Sequence, residues 1–308
     1  MPHLSKRLAT AGVVAFATLV SAGCGSSDTS TNASSSTQQP APSSAVKPAT
    51  SSAAAALLPS AIKSKGTLTV AADATYAPNE FIGPDGKTVE GADVDLAKAI
   101  GGKLGLKVAV KNATFDSIIP GLAANKYDLG MSSFTDTKER EKTVDFVTYL
   151  RAGTSFYTKA QGGTDVTGLA DICGKKVAVE KGTTQAGDVT AQGKKCQAAG
   201  QPAPALSVFP DQNGANLAIA NGRSQLGMAD SPVADYQVKK SNGTFKLTGK
   251  QYGTAPYGIA IPKGNGMAKA VHAAVKELMA GGQYKAILDK WGIGEGAITT
   301  PKINGAQS

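Results

Sequence analysis

From Gly66 onward the chain alternates short apolar runs with segments whose apolar residues recur every three or four positions. TLTVAA after Gly66, KVAVK (107–111) and the runs 127–131, 175–179, 205–209, 225–229 and YGIAI (257–261) read as strands. Between Val94 and Leu104, Leu96, Ala97, Ile100 and Leu104 fall on one helical face. Phe115, Ile118, Ile119 and Leu122 mark a second helix, and a third is expected around 214–221. Two more are expected around 267–280 and 282–291. Their stripes, Met267/Val271/Ala274/Val275/Leu278 and Tyr284/Ile287/Leu288/Trp291, have the spacing of core faces, with Trp291 a packing anchor. Strands alternating with helices predict an α/β fold, a parallel sheet with helices on both faces.

The pattern runs through two similar rounds. Leu122, Lys126 and Leu129-Gly130-Met131 are echoed 97 residues later by Ile219, Arg223 and Leu226-Gly227-Met228. Four strand ends carry polar residues: Asp73 to Tyr76, Ser132 to Thr135, Thr183 to Gln185, and Asp230. Two belong to each round, and open α/β sheets bind ligands off such ends. The arrangement predicts two similar lobes facing each other across a ligand.

One of these ends is unusually well equipped. LGMSSFTDTKER (129–140) is an apolar strand end, then the hydroxyls of Ser132, Ser133 and Thr135, then Arg140. Thr137 looks like the start of a helix, whose free N–H groups suit an anion. The planar fork of Arg140 can hold a carboxylate through two hydrogen bonds. The alternative is a capped surface helix with an exposed arginine.

The front of the chain differs in kind. Lys6 and Arg7 precede an apolar stretch, Leu8 to Val20, too short to span a bilayer and shaped like a secretory signal. Ser21-Ala22-Gly23-Cys24 resembles a bacterial lipobox, which makes 1–23 a signal peptide and Cys24 a lipidated N-terminus; a plain signal with a structural cysteine is the alternative. Residues 24–60, rich in Ser, Ala, Thr and Pro, are expected to form a disordered tether. Such a tether reaches roughly 30–35 Å, from about 5–6 Å × √n.

Composition narrows the function further. The net charge of +9 falls to +7 without Lys6 and Arg7, and the basic residues are scattered with no run or aromatic interleaving. That argues for a solvated cationic surface and against nucleic acid. An exported chain can hold disulfides, so Cys173 and Cys196 are expected to pair, the alternative being two free buried thiols. Closing that loop stabilises by roughly 3 kcal/mol on the chain-entropy argument. His3 and His272 leave no cluster for a metal, and no cofactor is expected.

Gly91-Ala92-Asp93-Val94-Asp95-Leu96, DATYAP (73–78), GMSSFTDTKER, GTTQ (182–185) and MAD (228–230) occur in the order found in one family. From about Gly66 to Gly294 the chain resembles the bacterial solute-binding proteins of polar amino acid ABC transporters. Ala92 departs from the family's larger residue at that position. The resemblance implies a two-lobed periplasmic-binding-protein fold of type II, with lobe 1 at 66–153 plus 254–300 and lobe 2 at 157–250. Two crossing strands, near 153–158 and 253–257, would join them. It implies that Arg140, Ser133 and Thr135, with Thr184, hold a ligand carboxylate and that Asp230 holds its ammonium. Tyr76 and Phe115 would line the side-chain region, with Asp73 close by and Ser132 and Thr183 beside the site. The expected protein is a monomeric, lipid-anchored, extracytoplasmic receptor that delivers a polar amino acid to an ABC permease. It is expected not to be an enzyme. An amino-acid sensor ectodomain and a cyclohexadienyl-dehydratase-like enzyme are the alternatives. The ligand is left open: Asp73 and Glu80 favour a neutral polar or cationic side chain, Lys181 an acidic one.

Overall fold

The computed structural model describes residues 50–307. Two short helices, α1 (Ser52–Ala56) and α2 (Ser60–Lys65), lead into β1 (Thr67–Ala72). A small antiparallel sheet follows, β2 (Thr75–Tyr76), β3 (Glu80–Ile82) and β4 (Val89–Glu90). The first round continues through α3 (Ala92–Leu104), β5 (Lys107–Asn112), α4 (Phe115–Ala123) and β6 (Leu129–Gly130). The long β7 (Val144–Lys159) crosses to the second round: β8 (Lys176–Glu180), α5 (Thr184–Ala198), β9 (Ala205–Phe209), α6 (Gln212–Ala220), β10 (Leu226–Asp230) and α7 (Ser231–Lys240). β11 (Phe245–Pro262) crosses back to α8 (Ala268–Ala280) and α9 (Gln283–Trp291).

The large sheet has the order β5-β1-β6-β11-β7-β10-β8-β9. Its two halves mirror each other. β1 lies between β5 and β6 as β8 lies between β9 and β10, and the crossing strands β11 and β7 fill the middle. Each half packs helices on both faces, with separate apolar clusters above and below the strands.

The expected parallel sheet is corrected to a mixed one. β1, β5 and β6 pair in parallel, as do β8, β9 and β10, but β11 runs antiparallel to β6 and β7, and β7 antiparallel to β10. The reason is connectivity: a strand that carries the chain from one lobe to the other enters each half against the direction of its βαβ strands. β11 breaks register with β7 between Thr248 and Tyr252 and again before Ala255, with Gly249 and Gly253 at φ +69° and +64°.

Two other expectations change. The segment expected as tether over 24–60 is helical from Ser52, and Ala54 and Leu58 are buried against α3 and α8. Ser51 pins this end by donating its N–H to the Lys103 carbonyl (2.8 Å) and its hydroxyl to Glu277 (2.6 Å). A small alanine face needs little area when a preformed groove receives it. The signal segment and Cys24 lie outside the described residues. No α-helix begins at Thr137; the chain there makes a turn and a single 3-10 turn, Arg140–Lys142. Among the described residues no helix is long and apolar enough to cross a membrane.

Candidate functional site

The C-terminal ends of β1, β6, β8 and β10 converge on one cavity. It is lined by Asp73, Tyr76, Phe115, Ser132, Ser133, Thr135, Arg140, Thr183, Thr184 and Asp230, together with Glu180 and Gln185. Every residue expected at a ligand site therefore lies on the same wall-to-wall cavity. About 10 Å³ is open to the centre of a water molecule. That is room for about one water, so the lobes meet closely here.

The serine turn is built from beneath. Ser133 has a left-handed backbone, φ 53°, which the surroundings must impose on a residue with a Cβ. Asp93 accepts its N–H (3.0 Å) and the Tyr149 hydroxyl, while Glu80 accepts the Ser133 hydroxyl (3.1 Å). Ser132 turns its oxygen to the N–H of Asp73 (2.9 Å) and so ties this turn to the first loop. Gly91 lets the start of α3 approach: a Cβ there would stand 2.0 Å from the Asn79 carbonyl oxygen. Glu80 does not line the cavity. Its carboxyl is spent under the turn, which removes it from any argument about the ligand.

Arg140 is aimed across the cleft. Its guanidinium donates to the Thr135 carbonyl (2.9 Å) and to the Gly182 carbonyl of the opposite lobe (3.0 Å). It also lies over the stacked rings of Phe115 and Phe134, 5.3 and 5.5 Å from their centroids. Burial lowers its pKa to about 10, and it stays charged at neutral pH.

Asp230 stands at the N-cap position of α7, yet its side chain makes no cap bond. It accepts instead from the Tyr257 hydroxyl (2.5 Å) and from Gln185 (2.7 Å), while its N–H donates to the Tyr76 hydroxyl (3.0 Å). Burial raises its pKa, and the bonds from Tyr257 and Gln185 oppose the rise. Thr183 is the N-cap of α5, accepting from Ala186, so this helix presents its first turn to the cavity. A helix start favours negative charge.

Two lining residues, Gln185 and Glu180, carried no expected site role. Gln185 bridges Asp230 and Thr154, the latter on crossing strand β7. It follows the hydroxyl pair Thr183-Thr184 in the first turn, the signal that could have placed it. Glu180 is the last residue of β8 and faces the cavity, buried. Its Oε1 has no hydrogen-bond partner. Burial, then the charge of Asp73 and a hydrogen bond with its carboxyl, then the charges of Asp211 and Asp230, push the Glu180 carboxyl well above the ordinary range. Asp73, from the other lobe, is raised by burial and held in place by Thr75 (2.6 Å) and the N–H of Phe115 (2.9 Å). Lys181, the counterweight in the sequence argument, is an exposed rim residue paired with Asp116 at 2.8 Å.

Cys173 and Cys196 form a disulfide that joins the segment before β8 to the far end of α5. Among the described residues no group of three or more His, Cys, Asp or Glu side chains is placed to hold a metal.

Two α/β halves joined by two crossing strands, with a charged cavity between facing strand ends, make a two-lobed solute receptor of the type II periplasmic-binding-protein fold. The chain belongs to the bacterial extracellular solute-binding proteins, family 3, whose sequence profile matches residues 68–295. It is 32% identical over 250 residues to the arginine-binding protein ArgT of Corynebacterium glutamicum, covering 81% of this chain and 82% of that one. An ancestral arginine-binding protein bound to arginine matches with a TM-score of 0.67 at 37% identity, covering 73% of this chain and 98% of that one. The ancestral amino acid-binding protein AncCDT-1, a precursor of cyclohexadienyl dehydratase, matches at 0.65 and 32%, covering 75% and 97%.

Proposed function

We propose that this protein is an extracytoplasmic receptor that binds an amino acid with a cationic side chain and presents it to an ABC permease. The carrying observation is Glu180: a buried carboxyl with an oxygen that no donor reaches, lining the cavity beside the carboxyl of Asp73. A free amino acid brings a carboxylate and an ammonium, which Arg140 and Asp230 complement. Ser133, Thr135 and Thr184 supply further polar contacts to the carboxylate, with Ser132 and Thr183 bracing them. Asp73 and Glu180 remain, and both are costly to ionise where they sit. A guanidinium or ammonium group between them satisfies both, whereas an acidic side chain would add a third negative charge. Tyr76 and Phe115 flank the stem of such a side chain. With Glu80 under the turn and Lys181 on the rim, the opposing sequence arguments no longer cancel. The arginine named in ArgT and in the ancestral protein agrees with this reading.

The receptor acts as a monomer in this reading. Its signal segment directs export and is removed, and lipidated Cys24 anchors it to the outer face of the membrane. A dehydratase-like enzyme is the second reading, favoured by the same buried Glu180 carboxyl in the cavity, its pKa raised by burial; product formed from prephenate-like acids would support it. The test of the first reading is Glu180→Gln, followed by titration calorimetry. The variant is expected to lose at least about tenfold in affinity for L-arginine, the order expected when a buried charge partner goes, and to bind L-glutamine little changed. Equal losses for both ligands would remove Glu180 from the side-chain site.

A further inference from the structure

The family profile ends at residue 295, but the chain runs on and doubles back along the outer edge of β7. Leu150 and Val147 form bridges with Ala297 and Ile303. The Thr148 N–H donates to the Lys302 carbonyl (2.9 Å), and the Lys302 N–H returns to the Thr148 hydroxyl (2.8 Å). Asn304 completes the edge, with its N–H to the Phe146 carbonyl (2.9 Å) and its side-chain oxygen receiving the Phe146 N–H (2.8 Å). The Pro301 carbonyl lies 3.1 Å from a ring nitrogen of His272 on α8. This much covers a sheet edge, which would otherwise expose unpaired backbone groups.

The next two residues do something else. The Gly305 N–H donates to Asp136 (2.7 Å), and the Ala306 N–H to Glu141 (3.1 Å). Asp136 and Glu141 are the acids that bracket Arg140 in its turn. The Asp136 backbone is bound in addition to the Pro256 carbonyl of β11 (2.8 Å), and the Arg140 guanidinium rests on the Thr135 carbonyl next to it. Without the strap's two N–H groups, the two carboxylates would face each other with Lys138, 2.9 Å from Glu141, as the cation left beside them. Burial and then Glu141 already push Asp136 up to about 6, and the Gly305 N–H is the largest opposing influence.

We propose that Gly305 and Ala306 form a positioning clamp, by which a C-terminal strap outside the matched stretch fixes the turn that aims Arg140 at the ligand. The proposal rests on Arg140 as the partner of the ligand carboxylate. Asp136 is then a positioning residue, acting through the turn and touching no ligand.

The test compares the full chain with one ending at Asn304, which keeps the sheet edge covered, and with Asp136→Ala and Asp136→Asn. Two quantities are read: amide hydrogen exchange across 132–145 in the unliganded protein, and the Kd for L-arginine by calorimetry. The shortened chain and Asp136→Ala are expected to exchange about tenfold faster in that segment, with β8 and β9 unchanged. Both should bind L-arginine about tenfold more weakly. Asp136→Asn keeps an acceptor for Gly305 and should stay within about twofold of the parent on both counts. Unchanged exchange at 132–145 overturns the clamp, and faster exchange with unchanged Kd overturns its link to binding. If the parent binds no L-arginine while the exchange pattern is as expected, the clamp stands and the proposed ligand class fails.

Discussion

Glu80 and Asp93 are among the most buried groups of the molecule, both at the base of the Ser132–Ser133 turn. Burial, then the charge of Asp93, holds the Glu80 carboxyl well above its ordinary range, and burial lifts Asp93 to about 6. Both acids therefore bind protons more tightly in the folded protein than in the unfolded chain. Their contribution to stability is full below the unfolded values near 4 and is lost as pH rises through the folded ones. The unliganded protein is thus expected to melt at a higher temperature at pH 5 than at pH 7, and Glu80→Gln to shrink that difference. A melting temperature independent of pH over this window would contradict the assignment. The same residues show what a sequence conceals. GADVDL announced Asp93 as part of a motif, but only the fold reveals that Asp93 works under the turn and that Glu80 joins it there.

The glycines of the two Leu-Gly-Met echoes explain why the echo exists. A Cβ on Gly130 would stand 2.9 Å from Ile118 and 3.0 Å from Leu122 of α4; one on Gly227 would stand 2.4 Å from both Ile219 of α6 and the ring of Tyr157. In each half, a strand beside the crossing strands must let a helix side chain sit directly on its backbone. Gly227→Ala is expected to cost roughly 1–3 kcal/mol of stability by overpacking, read by denaturant unfolding, and Ile219→Ala in the same chain to recover part of the loss. No recovery would mean that Ile219 is not the neighbour that matters. At this scale the sequence carried most of the architecture, since the 3.6-residue stripes of α3, α4 and α8 and the alternating rounds are local signals. What it hid was long-range. Whether β7 and β11 join the sheet, and in which direction, is decided by where the other lobe lies. The helix expected from Thr137 failed because the bonds of Asp136 to β11 and the strap hold that stretch as a turn. That Glu180 faces the cavity was hidden too, because its side-chain direction depends on how β8 meets the facing lobe.

In the whole molecule, the two lobes touch through the protein's own groups at several points: Tyr76 with Asp230, Thr75 with Gln212 (3.2 Å), Arg140 with Gly182, and Lys181 with Asp116. The proposed function needs the lobes to turn, and the irregular β11 segment with Gly249 and Gly253 is where we propose that they do. With room for about one water as the lobes stand, the cavity would have to open to take in an amino acid. Ligand would then stabilise the closed form only through contacts it makes to both lobes. In the proposed reading, Arg140 and Asp73 on one side, and Asp230 and Glu180 on the other, would give a cationic amino acid partners in each lobe. The most direct test is titration calorimetry of the purified protein at neutral pH with L-arginine, L-glutamine and L-glutamate. The account predicts that L-arginine binds at least about tenfold more tightly than L-glutamine, with L-glutamate the weakest. Tightest binding of L-glutamate, or no heat from any of the three, would contradict it.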